Sequence, residues 1–187
     1  YVRPMVCLGC AKPARELCPA CQSSLRPPRT RFVAGVVADA AFAHEGTAAR
    51  LVHNLKYRRS IPAGGLLARS MERHLHPAAS ALVPLPRAAG RTLTYGIDPA
   101  LSLARHLGAR TGLPVVNALN GPLWWRRRAG RSRRDRTGVG FRLRVDPEGH
   151  VVLVDDVLTT GETAASAIRA FGRSDISILT ATSAGTM

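Results

Sequence analysis

Residues 151–163 read VVLVDDVLTTGET, and this run constrains the fold of the chain more than any other stretch. Val151 to Val154 is a continuous apolar segment, the pattern of a central parallel strand covered on both faces. Asp155 and Asp156 follow at its carboxyl end, and Leu158-Thr159-Thr160-Gly161-Glu162-Thr163 then opens a helix. A strand buried on both faces needs helices above and below it, so the run predicts an α/β domain.

The rest of the chain alternates in the same way. Arg31 to Ala43 reads as one or two strands, and Gly46 to Arg59 places Leu51, Val52 and Leu55 on one helical face. A second helix is expected over Ile61 to Leu75, a short strand over Ala81 to Leu85 running into Pro86, and a helix over Ile97 to Thr111. Pro114 to Leu119 reads as a strand, Trp124 to Gly140 as a long mobile loop, Glu162 to Phe171 as a helix and Ile176 to Ala181 as the last strand. Such alternation predicts a mostly parallel sheet with helices on both faces. The double proline in Ser23 to Thr30 marks a boundary, with a module over residues 1–28 and the α/β domain over 29–187.

All four cysteines fall in the first module, as Cys7-x2-Cys10 and Cys18-x2-Cys21. Each pair offers two thiolates from one tight knuckle, and two knuckles close a tetrahedral site with no open position, the arrangement of a structural Zn2+. Disulfides are the competing reading, and an oxidising compartment would be needed to favour them. No run of about 18 apolar residues spans a bilayer, and the opening YVRPMVCLGC lacks the charged-then-apolar pattern of a signal peptide, so cytoplasmic residence is expected. The six histidines are scattered, with only His74 and His76 close together, and read as surface or core residues.

The formal charge of +15 points to polyanionic partners, nucleic acid or phosphorylated metabolites, although an arginine-rich composition also arises from base composition alone. Seven arginines and one aspartate lie within 126–136, just after Trp124 and Trp125. That segment reads as a closing lid, as a strip that follows a nucleic-acid backbone, or as a solvated loop.

The chemistry is concentrated in the opening run. Ligands of open α/β sheets bind at the carboxyl edge, where two carboxylates can accept hydrogen bonds from vicinal hydroxyls such as those of ribose. Gly161 permits a tight turn, and its backbone N–H groups with the hydroxyls of Thr159, Thr160 and Thr163 can surround a phosphate at a helix start. A plain helix start is the alternative, because Thr159-x-x-Glu162 has the spacing of a capping box. A Walker-type loop is excluded, since no GKS or GKT follows the glycine.

These 13 contiguous residues resemble the phosphoribosyl pyrophosphate signature of type I phosphoribosyltransferases. The four-cysteine module narrows the resemblance to the ComF branch, the competence-associated proteins. Leu55-Lys56-Tyr57 looks like that branch's Lys-Tyr element, Val83-Pro84-Leu85-Pro86 like its proline-bearing strand end, and Trp124 to Phe141 occupies the position of its mobile catalytic loop. Arg91 and Tyr95-Gly96-Ile97-Asp98 resemble the stretch opening the next helix, with Tyr95 standing where Arg is expected and Asp98 where Asn is common. In the mobile loop Arg128 stands where Gln often occurs, and Thr137 where Asn usually precedes the Phe.

The resemblance implies a type I phosphoribosyltransferase-like fold and transfer of phosphoribosyl to a nitrogen acceptor, with Mg2+ held chiefly by ligand and water. Asp155 and Asp156 would orient the ribose, the 159–163 turn would hold the 5'-phosphate, and Arg87, Lys56 and the loop arginines would meet pyrophosphate. It also implies a link to DNA uptake, and the arginine run 126–136 is the segment expected to meet DNA. The second functional class is a non-catalytic nucleotide sensor or nucleic-acid-binding accessory protein, which would need the same pocket.

Overall fold

The computed structural model describes residues 5–86, 97–121 and 140–185. Its centre is a five-stranded sheet of β1 (Arg31–Val33), β2 (Val36–Ala43), β3 (Ala79–Pro84), β6 (His150–Leu158) and β7 (Ile176–Ser183), in the order β1-β2-β7-β6-β3. β2, β7, β6 and β3 run parallel, and β1 turns back antiparallel on β2 as one edge. A separate ribbon pairs β4 (Leu119–Asn120) with β5 (Arg142–Leu143).

The helices cover both faces. α2 (Gly46–Arg58), α3 (Ile61–Met71) and α4 (Pro99–Thr111) pack Leu51, Leu55, Leu67, Leu103 and Leu107 against Val152, Val154 and Leu179. α5 (Glu162–Phe171) packs Ala164, Ala167, Ile168 and Phe171 on the opposite face, against Val151, Leu153 and Ile178. Consecutive residues of β6 therefore feed two different cores, which is why Val151 to Val154 is apolar without a break.

Local chemistry sets the boundaries. Ser60 Oγ accepts from the N–H of Ala63 at the start of α3, and Asp98 Oδ1 accepts from that of Leu101 at the start of α4, with a proline in the first turn of each helix. Asp98 thus serves as a cap, a task that Asn performs equally well. The helix expected over 61–75 ends as α-helix at Met71 and continues as a 3-10 turn over Glu72–His74. The strand expected over 114–119 reduces to a parallel bridge between Val115 and Leu82, secured by Leu82 N–H to Pro114 O and Val116 N–H to Leu82 O.

The cysteine segment, with its short helix α1 (Pro19–Ser23), is fastened to the α/β body by side chains of α2 and α3. Arg50 Nε donates to Gly9 O and Asn54 Nδ2 to Leu8 O, each at 2.8 Å, while Arg69 forks onto the carboxylate of Glu16 at 2.6 and 3.2 Å. Leu8 and Leu17 add apolar contact to the core beneath.

Candidate functional site

Chain order and spatial order part company between β3 and β6. β3 leads toward α4 on one face, and β6 leads through the 159–161 turn into α5 on the other. Two neighbouring parallel strands whose connections leave to opposite faces open a crevice between their carboxyl ends, the position where α/β sheets bind ligands. The run predicted to carry phosphate and ribose chemistry forms one wall of that crevice.

β6 is longer than Val151 to Val154, and both aspartates lie inside it. Successive strand residues face opposite ways, and the pair is split accordingly. Asp155 lies on the α5 side, where it lines a small cavity with Leu85, Thr159, Gly161, Thr163 and Thr180. Its Oδ1 accepts from the N–H of Asp156 at 2.8 Å. Asp156 lies on the α2 side, only 4% exposed, and its Oδ2 meets Lys56 Nζ at 2.6 Å. The turn thus brings Asp155, Thr159, Gly161 and Thr163 together, and a separate ion pair unites Lys56 with Asp156. Thr160 is exposed beside them and accepts from Glu162 N–H at 3.4 Å.

The cavity holds about 20 Å3, room for roughly one water. The capping-box alternative is not formed. α5 starts after Gly161, which is the N-cap at φ 83° with no side-chain hydrogen bond. Gly161 is needed twice over, because a Cβ there would also sit 2.8 Å from Val33 Cγ2.

One contributor escaped the sequence reading. Arg31, on the edge strand β1, directs its NH1 to Thr159 O at 2.5 Å and Ala184 O at 3.2 Å. It ties the turn to the edge of the sheet and sets a guanidinium against the backbone of the turn. No local pattern announces a contact spanning 128 residues.

Removing Lys56 tests the ion pair. A buried carboxylate that loses its ammonium partner typically costs 3–5 kcal/mol, and the 18% exposure of the Lys56 side chain lets water offset part of this. Lys56→Met should cost about 2 kcal/mol in urea denaturation, and adding Asp156→Asn should restore part of it. Additive losses in the double variant would show that the pair is not coupled.

The four cysteines converge. Their sulfurs lie within 4.8 Å of one another, and Cys10 Sγ is 3.6 Å from Cys18 Sγ. A tetrahedral ion with bonds of about 2.3 Å sets its sulfurs roughly 3.8 Å apart, so the cluster fits a metal ion such as zinc. A disulfide needs about 2.05 Å, and all four cysteines are unpaired. Burial raises the Cys7 thiol, but backbone N–H donors led by Cys18 and Gly9 outweigh it and bring the group down to about 6. Cys10 moves the other way: a backbone hydrogen bond from Lys12 lowers it, yet desolvation and the neighbouring sulfurs prevail and raise it to about 11. Four crowded thiols resist joint ionisation, a conflict that a bound cation removes.

Elsewhere, a cleft of about 740 Å3 lies between the cysteine segment and the α2–α3 turn, lined by Arg50, His53, Arg58 and Arg59. It shares no residue with the sheet edge. The edge, by contrast, is where strand polarity and split connections focus ligand-binding groups. His76 stacks on His150 with ring centroids 3.8 Å apart, while His74 closes the 3-10 turn. Arg87, Arg91, Tyr95 and the 126–136 segment lie outside the described residues. Among the described residues no helix is long and apolar enough to cross a membrane. Compared with models of known protein families and with curated proteins, the chain matches none.

Proposed function

We propose that the chain binds phosphoribosyl pyrophosphate across the carboxyl edge of β3 and β6 and transfers its phosphoribosyl group to a nitrogen acceptor, as the resemblance to the ComF branch of type I phosphoribosyltransferases implies. The observation that carries this reading is the coincidence of the run 151–163 with the crevice where the connections of β3 and β6 diverge. A phosphate resting against Thr159, Thr160 and Thr163 would meet donors at the uncapped start of α5, with the Arg31 guanidinium close by. The ribose would span the end of β6, so that one hydroxyl approaches Asp155 and the other the side occupied by Asp156 and Lys56.

Transfer from this donor proceeds through an oxocarbenium-like state, so the protein needs no covalent nucleophile. It has to hold the two phosphate ends apart, offset the departing charge and exclude water. Mg2+ would arrive with the pyrophosphate and neutralise part of its charge. Lys56 is the described cation closest to Asp156 and would serve the pyrophosphate side. The cysteine cluster lies apart from this crevice and suits a structural Zn2+ that folds a segment too short for a core of its own.

The decisive assay offers phosphoribosyl pyrophosphate and Mg2+ with a panel of nucleobases, amines and ammonia, and follows pyrophosphate release. Release that depends on one acceptor class is the expected result. Binding of the donor with no release from any acceptor would leave a sensor and overturn the transferase reading.

A further inference from the structure

His44 follows β2 directly, and its N–H donates to Ser183 O at 2.8 Å. It therefore stands at the carboxyl edge of the sheet beside the end of β7. Its ring Nδ1 lies 2.8 Å from Thr182 Oγ1. The next link decides which of these atoms donates. Thr182 Oγ1 is also 3.2 Å from the carbonyl oxygen of Asp156. A carbonyl only accepts, so the single hydroxyl proton of Thr182 is committed there. With the hydroxyl proton on that carbonyl, the imidazole donates from Nδ1–H to Thr182 Oγ1. A neutral imidazole carries one proton, so Nε2 keeps its lone pair.

The surroundings favour that neutral ring. Burial lowers the His44 pKa below its ordinary value of 6.5, and the ammonium of Lys56 lowers it further. Among the described residues, the charged group that acts on the ring is Lys56 from α2, which is itself bonded to Asp156 of β6 at 2.6 Å, and the exposed Glu45 is next in the chain. A tautomer fixed by one nitrogen leaves the other as a base at neutral pH.

We propose that His44 is the proton acceptor of this site and that the co-substrate is a nitrogen nucleophile bearing an N–H. The proposal rests on the phosphoribosyl-transfer reading and names the class of acceptor it leaves open. The nitrogen lone pair forms the bond to C1', and the C1'–O bond breaks with its electron pair leaving on pyrophosphate. The surplus proton of the nitrogen passes to Nε2, giving an imidazolium. Thr182 is the positioning residue, because its hydroxyl sets the tautomer.

Two measurements test this. Nitrogen-15 NMR of the histidine side chains in the full chain should show His44 protonated at Nδ1 and bare at Nε2, with a mixture of tautomers in Thr182→Val. For catalysis, His44→Gln should bind phosphoribosyl pyrophosphate with Mg2+ within about twofold of wild type, while acceptor-dependent pyrophosphate release falls by about 10²–10⁴-fold. The rate should rise with pH through the lowered His44 pKa in the wild type, and that limb should vanish in the variant. A bare Nδ1, or an unchanged rate in His44→Gln, overturns the base assignment while phosphoribosyl transfer stands. A wild type that releases no pyrophosphate with any N–H acceptor overturns both.

Discussion

Cys18→Ser should yield protein with almost no bound zinc, where the wild type is expected to bind one ion per chain. Cys18 supplies a sulfur 3.6 Å from that of Cys10, and its backbone N–H donates to Cys7 Sγ at 3.3 Å, so the change removes a ligand from a closed set of four. Binding energy at such sites is folding energy for the segment that holds the metal. The damage should extend beyond that segment, because Leu8 and Leu17 rest on the main core and Glu16 pairs with Arg69. Two half-buried leucines contribute about 1 kcal/mol each, and the exposed ion pair adds less than about 1 kcal/mol. The α/β body should therefore remain cooperative but lose about 2 kcal/mol. Metal analysis by atomic absorption and urea denaturation check the two halves. A metal-free wild type of undiminished stability would contradict the assignment.

Gly161→Val should be among the most damaging single changes in the α/β body. The backbone at φ 83° is one that branched residues rarely adopt, at a cost of about 1–3 kcal/mol. The added Cβ would stand 2.8 Å from Val33 Cγ2, and the overpacking adds about 1–3 kcal/mol. A total loss of about 2–6 kcal/mol is expected, and Gly161→Ala, which brings the same Cβ without the branch, should show a somewhat smaller loss. Val33→Ala should rescue part of the Gly161→Val loss by opening space on β1, whereas the strain from φ would persist. Thermal denaturation of these variants separates the two causes. A Gly161→Val protein as stable as wild type would show that neither operates.

The glycine illustrates what was legible in the sequence and what was not. Its place in a tight turn before a helix follows from the order of residues 151–163, and so do the buried strand, the helix after it and the cysteine pairs. Period and punctuation carry that information locally. The Val33 wall behind Gly161 could not be read, because β1 returns to the turn from far away in the chain. Arg31 escaped for the same reason: a single arginine among 25 carries no signal of its partner. The split of Asp155 and Asp156 onto opposite faces was available from the two-residue period of a strand, but only if the strand runs on to Leu158. Polar residues at its end made the apolar run look complete at Val154. His44 looked like one of six scattered histidines until the chain brought Thr182 to it.

The central claim is that the 155–163 segment and its surroundings bind phosphoribosyl pyrophosphate, and calorimetric titration of the wild type and Asp156→Asn with that compound and Mg2+ tests it most directly. Asn keeps the shape of the side chain and removes the charge, so a charge-assisted hydrogen bond to a ribose hydroxyl would weaken by about 1.5–3 kcal/mol, roughly 10- to 150-fold in Kd. Saturable one-to-one binding in the wild type, with that loss in a variant that remains folded, is the predicted result. Equal affinity in both proteins, or a wild type that binds neither phosphoribosyl pyrophosphate nor any nucleoside 5'-monophosphate, would contradict it.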